Sequence, residues 1–195
     1  MEEHIIGQVD YFCEESREWL RLPSLQMPTP VVYFAYVLLN GTLYVLGGSV
    51  NKNARLQRGQ ISLGDEETTK VWRLDDGKWK ACASMLQRRT SIKQSAVAFE
   101  GRIYVFGGFS ETIDNDDDDV DDVTTDMRTC EMFDPVANRW HQLPSLPPME
   151  TYVGASCVVD DKIVLIRERK VDIFDIVTRT WRSGGDQLPQ GLWRE

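Results

Sequence analysis

A segment ending in a glycine pair occurs twice at an offset of 60 residues, and this periodicity restricts the available folds more than any other feature. Gly41-Thr-Leu-Tyr44-Val-Leu-Gly47-Gly48 aligns with Gly101-Arg-Ile-Tyr104-Val-Phe-Gly107-Gly108, with the tyrosine and both glycines in register. A third copy at the same offset, Asp161-Lys-Ile-Val164-Leu-Ile-Arg167-Glu168, keeps the strand but has lost the tyrosine and the glycines. Each copy follows an apolar stretch: Val31 to Leu39, Ser95 to Phe99 and Tyr152 to Val159. Apolar runs joined by Asn40-Gly41, Glu100-Gly101 or Asp160-Asp161 predict tight β-hairpins. Their near-continuous hydrophobicity predicts burial on both faces.

A second unit recurs downstream. Val9-Asp-Tyr-Phe12, Val71-Trp-Arg-Leu74, Cys130-Glu-Met-Phe133 and Val171-Asp-Ile-Phe174 read as short strands, each followed by a polar turn and then a tryptophan: Trp19, Trp79, Trp140 and Trp181. Asp134-Pro135 suits a type I turn, and Asp75-Asp76-Gly77 supplies the residue of positive φ that a compact hairpin needs. After the tryptophan a last strand runs into Leu22-Pro-Ser-Leu25, Met85 or Leu143-Pro-Ser-Leu146.

The unit as a whole resembles the kelch repeat. The hairpin ending in Gly-Gly, the aromatic-Asp strand, the turn and the Trp stand in that family's order and spacing, over nearly the whole chain. Trp79 followed by Ala83-Ser-Met85 and Arg88-Arg89 is most similar to the propellers of kelch-like (BTB-kelch) adaptor proteins. The resemblance implies an all-β chain of four-stranded antiparallel blades, with the hairpin innermost and the Trp strand at the rim. It divides the chain into an incomplete ring of about three and a half blades: a half blade over 5–28, blades over 30–87 and 90–147, and a divergent blade over 150–189. In such a blade the glycines let backbone approach backbone near a crowded axis. The Trp fills the gap between neighbouring sheets.

Charge and cysteine usage narrow the function. The formal charge is −9, yet nine acidic residues and no basic ones lie between Ser110 and Asp126; without them 22 acidic face 22 basic side chains. Acidity is therefore a property of one loop, 110–126, and nucleic acid is not an expected partner. Asp114, Asp116 and Asp118 alternate as in a calcium loop, but Asp119 stands where glycine is needed and Thr125 where a bidentate Glu is needed. A solvated loop is the expectation, with docking to a basic partner as the other reading. Cys13, Cys82, Cys130 and Cys157 form no CxxC pair, and only His4 and His141 are present, so no metal or other cofactor is expected and buried free thiols are. No run approaches the roughly 18 apolar residues of a membrane helix. A cytoplasmic, soluble protein is expected, with no membrane partner.

Enzyme chemistry is not expected: the chain has no Ser-His-Asp set and no phosphate-cradling glycine loop. Kelch copper oxidases need more histidines than this chain has. The resemblance implies a protein-protein interaction module, the substrate-recognition part of a cullin-based ubiquitin-ligase adaptor, without BTB or BACK domains. An actin-binding or cytoskeletal scaffold is the alternative, and a kelch-fold enzyme the remoter one. By the family's pattern partner contact falls on Ser49 and Phe109, after the glycine pairs, and on Tyr33 and Lys93, near the inner-strand starts, with Arg88 and Arg89 adding charge for an acidic peptide. The long polar connections Ser49 to Lys70 and Phe109 to Thr129 are expected as functional loops. Too few blades to close a ring leaves three readings: a fragment of a larger kelch-like protein, self-association with a second copy, or an open arc, of which truncation or divergence is favoured.

Overall fold

The computed structural model describes residues 10–21, 25–50, 66–90, 92–112, 123–126, 128–148, 153–167 and 170–183. Every named element among the described residues is a strand. A hairpin of β1 (Asp10–Cys13) and β2 (Glu18–Arg21) comes first. Sheet I contains β3 (Ala35–Leu39), β4 (Thr42–Leu46), β7 (Val71–Asp75) and β8 (Lys78–Ala81). Between β4 and β7 lie the short paired strands β5 (Ser49–Val50) and β6 (Glu66–Glu67). Sheet II contains β9 (Ala96–Phe99), β10 (Arg102–Phe106), β13 (Cys130–Asp134) and β14 (Arg139–Leu143), with β11 (Phe109–Thr112) paired to β12 (Val123–Asp126) in between. Sheet III contains β15 (Ala155–Val159), β16 (Lys162–Arg167), β17 (Lys170–Asp175) and β18 (Thr180–Ser183). All pairings are antiparallel in simple meander order, and of the first strands β9 packs against β3 on one side and β15 on the other. These are propeller blades, three complete and one represented by its outer hairpin.

The hairpin turns follow their residue types. Asn40-Gly41, Asp76-Gly77, Glu100-Gly101 and Asp160-Asp161 all have positive φ at both positions, the type I′ geometry that matches strand twist. The glycine pairs answer to crowding as well as to φ. A Cβ on Gly47 would sit 2.7 Å from the Arg89 carbonyl oxygen, and one on Gly48 would sit 2.5 Å from that of Val32. In sheet III, Arg167 takes the first glycine's place and stays in strand, pairing with Lys170, so the excursion seen in sheets I and II has no counterpart there.

Two cores lie between blades. Ala35, Val37, Leu39, Tyr44 and Leu46 of sheet I meet Ile103, Val105, Phe133 and Trp140 of sheet II. Val97, Tyr104, Phe106 and Leu143 of sheet II meet Ile163, Leu165 and Phe174 of sheet III. The indoles close both junctions and a third. Trp79 Nε1 donates to the Leu25 carbonyl at 2.6 Å, Trp140 Nε1 to that of Ala83 at 2.8 Å, and Trp181 Nε1 to that of Pro144 at 3.0 Å. Each acceptor lies two residues before a buried Met27, Met85 or Leu146, so the same latch is built three times.

Three sequence expectations need correction. Burial on both faces fails for β3, where Tyr36 is 63% and Leu38 66% exposed, because no sheet covers that side among the described residues. The long connections are not plain loops: their ends pair as β5–β6 and β11–β12, while the acidic residues 113–122 fall outside the described residues. The thiols are not uniformly buried either. Cys130 is buried, Cys82 and Cys13 are half-buried, and Cys157 is exposed on the uncovered side of sheet III.

Candidate partner-binding site

The residues after the glycine pairs and those before the inner strands meet at one end of the blades. Val32 and Ser49 exchange both backbone hydrogen bonds at 2.9 Å, and Thr90 and Phe109 do the same at 3.0 Å. The two bridges are cross-linked. Ser49 Oγ donates to Thr90 Oγ1 at 2.9 Å, and Gly48 N–H donates to the Arg89 carbonyl at 2.9 Å. Ser49 is consequently buried, a joint between blades and not a free contact residue as the sequence reading had it. Phe109 is half-buried beside it.

Tyr33 and Lys93 come together. Tyr33 is held at a φ of 56°, and the Lys93 ammonium lies 5.4 Å from its ring centroid, within cation–π range. The Tyr33 carbonyl accepts from Ile92 N–H, which links the two connections. A cavity of about 540 Å³ opens here, lined by Val32, Tyr33, Phe34, Tyr36, Lys93 and Gln94 among others. Its walls are largely apolar and aromatic, and Lys93 is its charged group, the pattern of a side-chain-sized recognition pocket. Phe34, Tyr36 and Gln94 escaped the sequence reading. The signal for Tyr36 was present, since it shares the outward face of β3 with Leu38.

Arg88 and Arg89 part company. Arg88 is exposed, while Arg89 is fully buried and cannot serve an acidic peptide. Its guanidinium donates to the Gly107 carbonyl at 2.6 Å, to the Thr129 carbonyl and hydroxyl at 3.1 Å, and to Glu131 Oε1 at 2.5 Å. Glu131 also accepts from the backbone N–H groups of Leu86 and Gln87 at 2.7 and 3.0 Å. The pair therefore pins the end of blade I to blade II.

In sheet III, Pro147 and Pro148 stand where Leu86 and Gln87 do and offer no N–H. There Asp172, at the position of Glu131, is satisfied by Arg167 of its own sheet, whose Nε lies at 2.7 Å; that guanidinium also reaches the Pro147 carbonyl. In sheet I the two positions are Val31 and Trp72, which belong to one apolar cluster. One structural position thus has three solutions in a single chain.

Among the described residues no three His, Cys, Asp or Glu side chains gather as metal ligands, and no helix is long and apolar enough to cross a membrane. Comparison with known proteins agrees with this architecture. Residues 94–147 match the Kelch motif. The chain is 30% identical over 150 residues to "Spermatocyte protein spe-26" of Caenorhabditis elegans, covering 76% of this chain and 23% of that protein. It is 28% identical to an F-box/kelch-repeat protein of Arabidopsis thaliana, covering 80% of this chain and 39% of the relative. It is 26% identical to "Kelch repeat and BTB domain-containing protein 12" of Danio rerio, covering 90% of this chain and 27% of the relative. The chain thus spans well under half the length of these relatives. Among solved structures it superposes on YjhT with a TM-score of 0.64 at 17% identity, over 95% of this chain and 60% of that one, a likeness of fold alone.

Proposed function

Starting from a chain that is a partial kelch-repeat region with kelch-like and BTB-kelch relatives, we propose that it is the partner-recognition part of a kelch-like ubiquitin-ligase adaptor. The repeats and the relatives support a protein-interaction module. The observation that carries the finer reading is the convergence of Tyr33, Phe34, Tyr36 and Lys93 on one cavity at the glycine-pair end of blades I and II. An apolar side chain fills such a pocket while a neighbouring carboxylate meets the Lys93 ammonium. Arg88, exposed nearby in sequence, adds to that preference for an acidic segment.

An experiment in cells tests this directly. Proteins captured by the wild-type chain and lost on Lys93→Glu and Tyr36→Ala are followed after cullin inhibition. Accumulation of those proteins supports the adaptor reading. Their indifference to cullin inhibition, together with co-sedimentation of the chain with actin filaments, supports a scaffold instead. A cytoplasmic location belongs to the same proposal, and imaging of the tagged full-length protein checks it.

A further inference from the structure

At the opposite end of the blades, beside the β-turns, the junctions between sheets I and II and between sheets II and III are built differently. In the turn of sheet II, Asn138 has a φ of 47°, and its Oδ1 accepts from Ala83 N–H at 2.9 Å, which closes the first junction. Arg179 occupies the same turn position in sheet III, with a φ of 54°. The residue equivalent to Ala83 is there Pro144, which has no N–H to give. The second junction therefore lacks this latch, and a cavity of about 360 Å³ occupies it.

Arg102 enters this cavity from sheet II and Arg179 from sheet III, with His141 and Tyr104 alongside and Met132 and Phe174 as apolar wall. Neither guanidinium forms an ion pair or a side-chain hydrogen bond among the described residues. The neighbouring blades show that this is particular to the site. Asp75 is paired with Lys80 at 2.7 Å, and Asp175 with Lys162 at 3.2 Å, Lys162 being the counterpart of Arg102. Asp134, the equivalent carboxylate in sheet II, lines the cavity and makes the same turn contacts through Oδ1, to Val136 and Ala137 N–H at 2.9 and 3.1 Å, as Asp175 makes to Val177 and Thr178, yet it forms no ion pair among the described residues. In the lining itself two guanidinium groups face one carboxylate, and the next acidic group, Glu100, acts on Tyr104 from outside the lining. Guanidinium groups converging from two sides suit the planar or tripodal oxygens of carboxylates and phosphates.

We propose that the cleft between blades II and III binds an organic oxyanion, a carboxylate or phosphate ester carried on a small apolar body, between Arg102 and Arg179. The site is separate from the Tyr33–Lys93 cavity and does not depend on it. Phenyl phosphate, benzoate and phenol serve as probes, titrated into the isotopically labelled full chain and followed by NMR. Phenyl phosphate or benzoate shifts the arginine side-chain signals and those near Tyr104 and Phe174, and phenol does not. The ratio of the two anions' affinities distinguishes a phosphorylated from an acidic ligand. Arg102→Gln and Arg179→Gln each weaken the anion about tenfold, a loss typical of one charge-assisted contact, while Lys93→Glu leaves it unchanged. Absence of anion-specific shifts, or equal binding by the double variant, overturns the proposal.

Discussion

Arg89 and Glu131 form a fully buried ion pair at 2.5 Å, and the same two positions one blade earlier hold Val31 and Trp72, both part of one apolar cluster. Removing one partner of a buried pair strands the other charge, which costs about 3–5 kcal/mol. Arg89→Val and Glu131→Trp are each expected to lower unfolding free energy by that order. The double variant, which copies sheet I, is expected to be more stable than either single one. Urea denaturation of the four proteins gives the coupling.

That pair also shows what the sequence conceals. Arg88-Arg89 reads as one exposed basic dipeptide, because Glu131 lies 42 residues away. The clue lay in strand alternation: Glu131 shares a face of β13 with Phe133, so a carboxylate sits where an apolar residue is due and calls for a buried cation. The blades themselves were legible, since turn residues, glycine pairs and tryptophans act locally. The uncovered face of β3 was not, because burial there depends on a neighbouring sheet that residues 35–39 do not specify. Thr112 and Val123 to Thr125 are strong β-formers and marked the β11–β12 pair, yet the dense acidic run between them dominated the reading.

The indoles offer a second test. Trp140 is 4% exposed and donates to Ala83, whereas Trp19, at the equivalent place in the β1–β2 hairpin, is 72% exposed. Trp140→Ala is expected to cost about 3–5 kcal/mol, Trp140→Phe about 1–2 kcal/mol through the lost hydrogen bond and volume, and Trp19→Ala under about 0.5 kcal/mol. Chemical denaturation separates them.

Acid sensitivity should concentrate in the strand-end aspartates. Asp175 is held down to about 2, first by the Thr178 backbone N–H and then by Lys162. A depressed carboxyl stabilises the fold above its unfolded value near 3.8, and the contribution is lost as pH falls from there towards 2. Asp175→Asn should therefore flatten the fall of Tm across that window while changing Tm less at pH 2 than at pH 6.

Thiol chemistry should follow burial. Cys130 is pushed up to about 12 by desolvation, while Cys157 is exposed. At pH 8 iodoacetamide is expected to modify Cys157 in the native protein and Cys130 only on unfolding, as read by mass spectrometry.

The stacked-blade architecture itself is checked most directly by nuclear Overhauser contacts from the tryptophan side chains. The Trp140 indole N–H is expected to contact Ala83 and to be protected from solvent exchange, and the Trp181 indole N–H to contact Pro144. Rapid exchange of the Trp140 proton, with neither contact seen, would contradict the stacked blades.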